Sequence, residues 1–230
     1  MAKYDRVPLK ILAARILPAA HPALVEAFAA SASPEIRNSL RGSEEASLAM
    51  FTADCDDVGY IAIDEATKQA DVRVLYAGSF YAGAGNASMP WSGEFIGVLA
   101  GRTPSDVSSG LNAAIACYEQ EAAFTYADDR DEVIFLDYTI AAAGSYLSAA
   151  AGVEPGTSLA YLIAPPLEAS FGLDAALKSA EVCLAQFYPA PTPTNFSGAL
   201  LAGSLSDCRS ACAAFRQSVV EVAERPRILT

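Results

Sequence analysis

The chain has 230 residues, room for one large domain or two small ones, with 53% apolar residues and only 18% charged against the ~25% usual for soluble proteins. Fifteen Lys and Arg against 27 Asp and Glu leave a net charge of −12, which argues against the basic face that nucleic acids and anionic membranes demand. The only histidine, His21, leaves little room for imidazole chemistry, and so few charges imply surface hidden in an oligomer.

From the start, Lys3, Arg6 and Lys10 precede an apolar run that Arg15 interrupts, so no targeting signal is expected. Ser47-Leu48-Ala49 opens a strand-like run, Met50 to Ala53, followed by Asp54, Asp56 and Asp57. That cluster reads either as a solvated acidic turn or as a cation-attracting site, the latter strengthened if Glu94 faces the same space. Asp64 is predicted as an N-cap, because its carboxylate suits free backbone N–H groups. Val72, Val74 and Leu75 suit a strand. The segment Gly78 to Gly93 is rich in Gly, Ala and Ser and carries Phe80, Tyr81 and Trp91. Gly83 and Gly85 form a G-x-G without the third glycine of a dinucleotide fingerprint. A mobile pore or lid loop and a plain surface loop both remain open for it. After the run Phe95 to Ala100, Thr103 at N-cap, Pro104 at N1 and Asp106 at N3 start a helix.

Beyond residue 120 the same series returns in the same order, with a slowly drifting spacing. Ser47-Leu48-Ala49 recurs as Ser158-Leu159-Ala160, and Asp64, Lys68 and Val72 as Asp174, Lys178 and Val182. Ser92-Gly93 recurs as Ser197-Gly198, and Ser105-Asp106 as Ser206-Asp207. Duplication is the natural reading, each copy running strand, short helix, strand, loop, strand, helix. The expected architecture is α/β (α+β), with residues 1–120 and 121–230 as two domains. In the last helix Cys208, Ala211, Cys212, Phe215 and Val219 keep i, i+3, i+4 spacing, which puts both cysteines on a core face rather than at a metal. Five cysteines, an odd number, suit a reducing compartment. Ile140 to Val153 falls short of a membrane span. Pro189, Pro191 and Pro193 stiffen the loop that corresponds to the Gly-rich one.

Several blocks resemble the L-type shell proteins of ethanolamine-utilisation bacterial microcompartments: Asp54 to Ala70, Gly144 to Ser148, Ala164 to Ala169, Asp174 to Ala180, Thr194 to Ser197 and Ser210 to Phe215. The resemblance implies two tandem, circularly permuted microcompartment domains and a trimer mimicking a hexamer. It implies a tile with a gated central pore, other shell proteins as neighbours, no enzymatic activity, and no cofactor or metal. Nucleic acid and membrane are not expected as partners. Within that frame Phe80, Tyr81, Gly83, Gly85 and Trp91 are expected at the gate. Asp56, Asp57, Glu94, Phe124 and Thr194 are expected to hold a small amine such as ethanolamine, between the two halves. A soluble amine-binding or sensing protein is the alternative.

Overall fold

The computed structural model describes residues 3–31, 47–79, 94–130, 132–190, 192 and 196–227. In chain order the elements are β1 (Ile11–Leu17), α1 (Pro22–Ser31), β2 (Ser47–Ala53), α2 (Asp56–Gln69), β3 (Arg73–Ser79), β4 (Phe95–Gly101) and α3 (Pro104–Ala116), which runs into a π-helical turn, Cys117–Glu121. Then come β5 (Thr125–Tyr126), β6 (Ile134–Ile140), α4 (Ser145–Ala151), β7 (Ser158–Ala164), α5 (Pro166–Ser179), β8 (Val182–Tyr188), β9 (Ser197–Gly203) and α6 (Leu205–Glu224). Two compact units result. The first takes residues 9–122 and 144–149; the second takes residues 1–8, 123–143 and 150–230.

The predicted duplication is present at the level of hydrogen-bonded register. The first sheet is ordered β1-β2-β4-β3 and the second β5-β6-β7-β9-β8, all antiparallel. Ser47 lies opposite Gly101 and Ala53 opposite Phe95. Their counterparts Ser158 and Ala164 lie opposite Gly203 and Ser197. Even the irregularities are copied. The pairing of β3 skips Leu75, that of β8 skips Ala185, and such bulges re-aim the strand beyond them.

Local chemistry explains the helix starts. Thr103 accepts from the Asp106 N–H while Asp106 accepts from the Thr103 N–H, a reciprocal capping box with Pro104 behind it. Ser204 likewise accepts from the Asp207 N–H at the start of α6. Cys208, Ala211, Cys212, Phe215 and Val219 form the buried stripe of α6, packed on Leu162, Leu173 and Leu201. Burial pushes the Cys212 thiol up to about 12, as suits a core residue rather than a ligand.

Two expectations are corrected. Asp64 and Asp174 are not N-caps, since each lies well inside its helix, α2 or α5. Both helices start earlier, α2 on Asp56 and Asp57 in its first turn and α5 on Pro166, so they are full 14-residue helices rather than short ones. Asp174 is exposed and pairs with Lys178 at 2.6 Å, whereas Asp64 is buried. Strands β1, β5 and β6 were not read from the sequence.

In the second unit residues 4–7 extend the sheet beyond β5. The Tyr4 N–H donates to the Tyr126 carbonyl at 2.8 Å, the Tyr126 N–H to Asp5 at 3.0 Å, and the Val7 N–H to Phe124 at 2.9 Å. Lys3 adds an ion pair to Glu224 on α6. Among the described residues no helix is long and apolar enough to cross a membrane.

Candidate functional site

The acidic turn between β2 and α2 is buried. Asp54, Asp56 and Asp57 are 2%, 3% and 7% exposed, and Glu94, just before β4, is 7% exposed. The solvated-turn reading is therefore overturned. Burying carboxylates costs several kcal/mol unless hydrogen bonds or a counter-charge offset it. The backbone N–H groups and dipole at the start of α2 supply part of that offset, and the Asp57 N–H donates to Asp56 Oδ1 at 2.9 Å.

Two tyrosines brace the turn. Tyr118, on the π-helical turn, donates its hydroxyl to Asp54 Oδ1 at 2.8 Å and accepts from the Cys55 N–H at 2.9 Å. The Lys10 N–H also donates to Asp54 Oδ1, at 2.9 Å. Asp54 is thus spoken for and serves structure. Burial pushes the Tyr118 hydroxyl far above the ordinary phenol range, with Cys55 and Asp54 adding to it, so it acts as a neutral donor.

Tyr60 stands one helical turn beyond Asp56, where side chains four apart share a face. Its hydroxyl lies 2.7 Å from the Ser79 hydroxyl at the end of β3. The Tyr60 ring meets the edge of Phe95 at 5.1 Å and stacks on Tyr146 at 6.1 Å. Gly59 is required beside it, because a Cβ there would sit 2.4 Å from the Phe95 ring. Burial, and after it the charge of Asp57, push the Asp56 carboxyl well above the usual carboxylate range; the Ser79 hydroxyl and backbone N–H groups oppose this. The chemistry on offer is a low-dielectric acidic pair that a cation would stabilise, with hydroxyls alongside.

Asp64, deeper in α2, does what its sequence position does not announce. Its two oxygens accept from the Gly144 N–H at 2.7 Å and the Leu147 N–H at 2.8 Å, and Thr67 accepts from the Ser145 N–H at 3.0 Å. Helix α2 thereby caps the start of α4 within the first unit, which is also how Tyr146 comes to stack on Tyr60.

Of the residues expected around an amine, Asp56, Asp57 and Glu94 belong to the first unit. Phe124 belongs to the second, is 1% exposed and stacks on Phe196 at 5.8 Å. Thr194 lies outside the described residues, as do Phe80, Tyr81, Gly83, Gly85 and Trp91 of the expected gate. Among the described residues no group of three or more His, Cys, Asp and Glu is gathered for a metal ion. Sequence reasoning missed Tyr60, Ser79, Tyr118 and Tyr146. The four-residue step from Asp56 to Tyr60 was a usable signal, whereas nothing local pointed to Tyr118, 64 positions from its partner.

No protein-family model matches the chain. It is 51% identical over 195 residues to the bacterial microcompartment shell protein EutL of Clostridium perfringens, covering 84% of this chain and 90% of that one. EutL of Escherichia coli is 51% identical over 180 residues, 78% of this chain and 82% of its own. Among solved structures, ethanolamine utilization protein EutL from Leptotrichia buccalis matches with a TM-score of 0.89 at 46% identity, covering 99% of this chain and 100% of that one.

Proposed function

The chain belongs to the EutL family of bacterial microcompartment shell proteins, and from that premise we propose how it works as a tile of the shell. Its role is structural, in the shell of an ethanolamine-utilisation microcompartment. The observation that carries this is likeness along essentially the whole chain, in sequence at about half identity and in fold across both permuted domains. The boundary between the two domains is placed near residue 120.

The finer reading is a homotrimer. Three chains of two copies supply six near-equivalent sectors, closed cyclic symmetry is the common solution, and a low charge content suits broad lateral contacts with other shell proteins. The Gly-rich segment around Gly83 and Gly85, with Phe80, Tyr81 and Trp91, gates a central pore for substrates or products. No catalysis is assigned. Light scattering on the eluting protein tests the assembly: a trimer that associates into sheets at low salt supports the tile. A monomer or dimer at micromolar concentration overturns it and favours a free-standing binding protein.

The acidic turn is the amine site. Asp56 and Asp57 receive the ammonium and Glu94 adds negative potential; the buried pair, held at a helix start, supports this part. Phe124 as a ring face and Thr194 as hydroxyl partner rest on the family resemblance alone. So small a ligand binds weakly, since affinity is capped near ~1.5 kcal/mol per non-hydrogen atom. Calorimetry with ethanolamine decides it: heat with the wild type and none with Asp56→Asn is expected, and equal heats, or none in either, retire the site.

A further inference from the structure

We propose that the bare outer face of α5 is the seat for the start of α1 from a second copy of this chain, so that protomers join head to tail. The inference deepens the homotrimer reading above and rests on it. What carries it is a contact the chain already makes once with itself, between α2 and α4 in the first unit. The duplicated counterparts of both partners are open to water.

Aligned on Asp64 and Asp174, α2 and α5 have equal length and share one core stripe. Ala62, Ile63 and Ala66 are buried in the first helix, Gly172, Leu173 and Ala176 in the second. The helices differ on the neighbouring face. In α2 Asp57, Ile61 and Asp64 are 7%, 3% and 1% exposed, and the start of α4 seats on the Asp64 end of that face. In α5 the same positions hold Leu167 and Phe171, 54% and 58% exposed, and Asp174, also open to water. Leu167 and Phe171 stand four apart and so share a face, and bare apolar side chains gathered in this way mark an interaction surface. An aromatic side chain is the usual anchor of such a surface.

The duplication also identifies the occupant. Leu17 pairs with Leu48 and Ile140 with Leu159, so α1 follows β1 at the spacing at which α4 follows β6. His21, Pro22 and Leu24 therefore answer to Gly144, Ser145 and Leu147. Leu147 is 2% exposed, whereas Leu24 is 39% exposed, because α1 turns Val25, Phe28 and Ala29 to its own sheet instead. The residue changes match across the two surfaces. Where the Ser145 N–H donates to Thr67 Oγ1, the duplicated pair is Pro22, which has no N–H, and Leu177, whose side chain has no acceptor. Either change alone would strand a polar group in a contact, and the two together strand none. In the docked pair Pro22 packs on Leu177, Leu24 covers the apolar face beside Phe171, and Asp174 receives the His21 N–H as Asp64 receives that of Gly144. Two unlike patches make a heterologous contact, which closes into a ring where its rotation allows.

The experiment uses the full-length chain with the exposed Cys183 changed to Ser. Two versions, Pro22→Cys and Leu177→Cys, are co-expressed, the second lengthened by a small carboxyl-terminal fusion so that mass tells them apart. They are purified together and treated with a short bismaleimide. A covalent band holding one chain of each kind, absent from either version alone, is expected. Phe171→Glu puts a charge on the seat at a position exposed in the single chain. It is expected to keep the far-ultraviolet dichroism of the wild type and to elute as a monomer by light scattering at micromolar concentration. Absence of the mixed band while the wild type is trimeric overturns α1 as the occupant. A Phe171→Glu variant that stays trimeric overturns the α5 face as an interface. The homotrimer reading survives both results. A wild type that is not trimeric removes that reading and this contact together.

Discussion

Deleting the Tyr118 hydroxyl while keeping its ring isolates what the buried bonds of the acidic turn contribute. In Tyr118→Phe the Cys55 N–H loses its acceptor and Asp54 loses a donor, both in the interior. Loss of a buried hydrogen bond costs ~0.5–1.5 kcal/mol net, and more where one partner is charged, so a clear fall in thermal midpoint is expected, read by differential scanning calorimetry. Asp137 on β6 offers a pH-dependent counterpart. Burial pushes its carboxyl up to about 6 even though the Arg216 guanidinium, 2.6 Å away, pulls the other way. The unfolded chain binds that proton near its ordinary value, ~4. Between those two values the folded state holds the proton and the unfolded state does not. Stability therefore falls as pH rises through the window and stays lowered above it, by up to ~3 kcal/mol. In Asp137→Asn the slope attributable to this group should vanish; melts across that range that parallel the wild type would refute it.

Helix α4 depends on helix α2 rather than on its own sequence. Gly144 is the residue that permits the contact, because a Cβ there would lie 2.3 Å from Thr67 Oγ1 and 2.6 Å from the Asp64 carbonyl. Gly144→Ala is expected to loosen α4, with amide-exchange protection lost at Ser145 to Ser148 before the sheets are affected; unchanged protection would show that the segment finds another seat. The same pair of elements marks the limit of what the sequence discloses. The capping box at Thr103, the N-cap at Ser204, the core stripe of α6 and the strands β2, β3, β4, β7, β8 and β9 are written in neighbours a few positions apart, where periodicity and cap chemistry operate. Asp64 resembles a cap and is one, but for a helix whose first donor lies 80 positions away. No window of local sequence contains both partners. β1 escaped for a different reason: it is an edge strand, largely solvent-facing, with Arg15 in its middle, so its apolar alternation is weak. The burial of Asp56 and Asp57 was likewise invisible, since acids in a row read as solvated unless the fold encloses them.

Neither half of the chain holds a complete unit. The first unit needs residues 144–149 and the second needs residues 1–8. A fragment of residues 9–122 keeps the whole β1-β2-β4-β3 sheet yet leaves both Asp64 oxygens without their Gly144 and Leu147 donors. It is expected to melt well below the full chain, or to lose near-ultraviolet dichroism while retaining helix. A fragment as cooperative and as stable as the intact protein would show the borrowed segment to be dispensable.

The segment of residues 4–7, bridged to the edge of the second sheet, imposes an order of events on the ribosome. Its partner residues Phe124 to Tyr126 do not yet exist when it leaves the exit tunnel, and Lys3 is 126 positions ahead of Asp129, whose side chain it meets through its N–H. At translation speeds of about 5–20 residues per second, that opening stretch waits on the order of ten seconds as a free, partly apolar peptide. Through that interval the nascent chain exposes Tyr4 and Val7 to whatever binds emerging polypeptides. A bulky domain fused directly ahead of Lys3 would travel with this segment into its slot. Such a fusion therefore burdens closure of the second sheet, and yield of soluble protein should be higher when a long flexible linker separates it from Lys3.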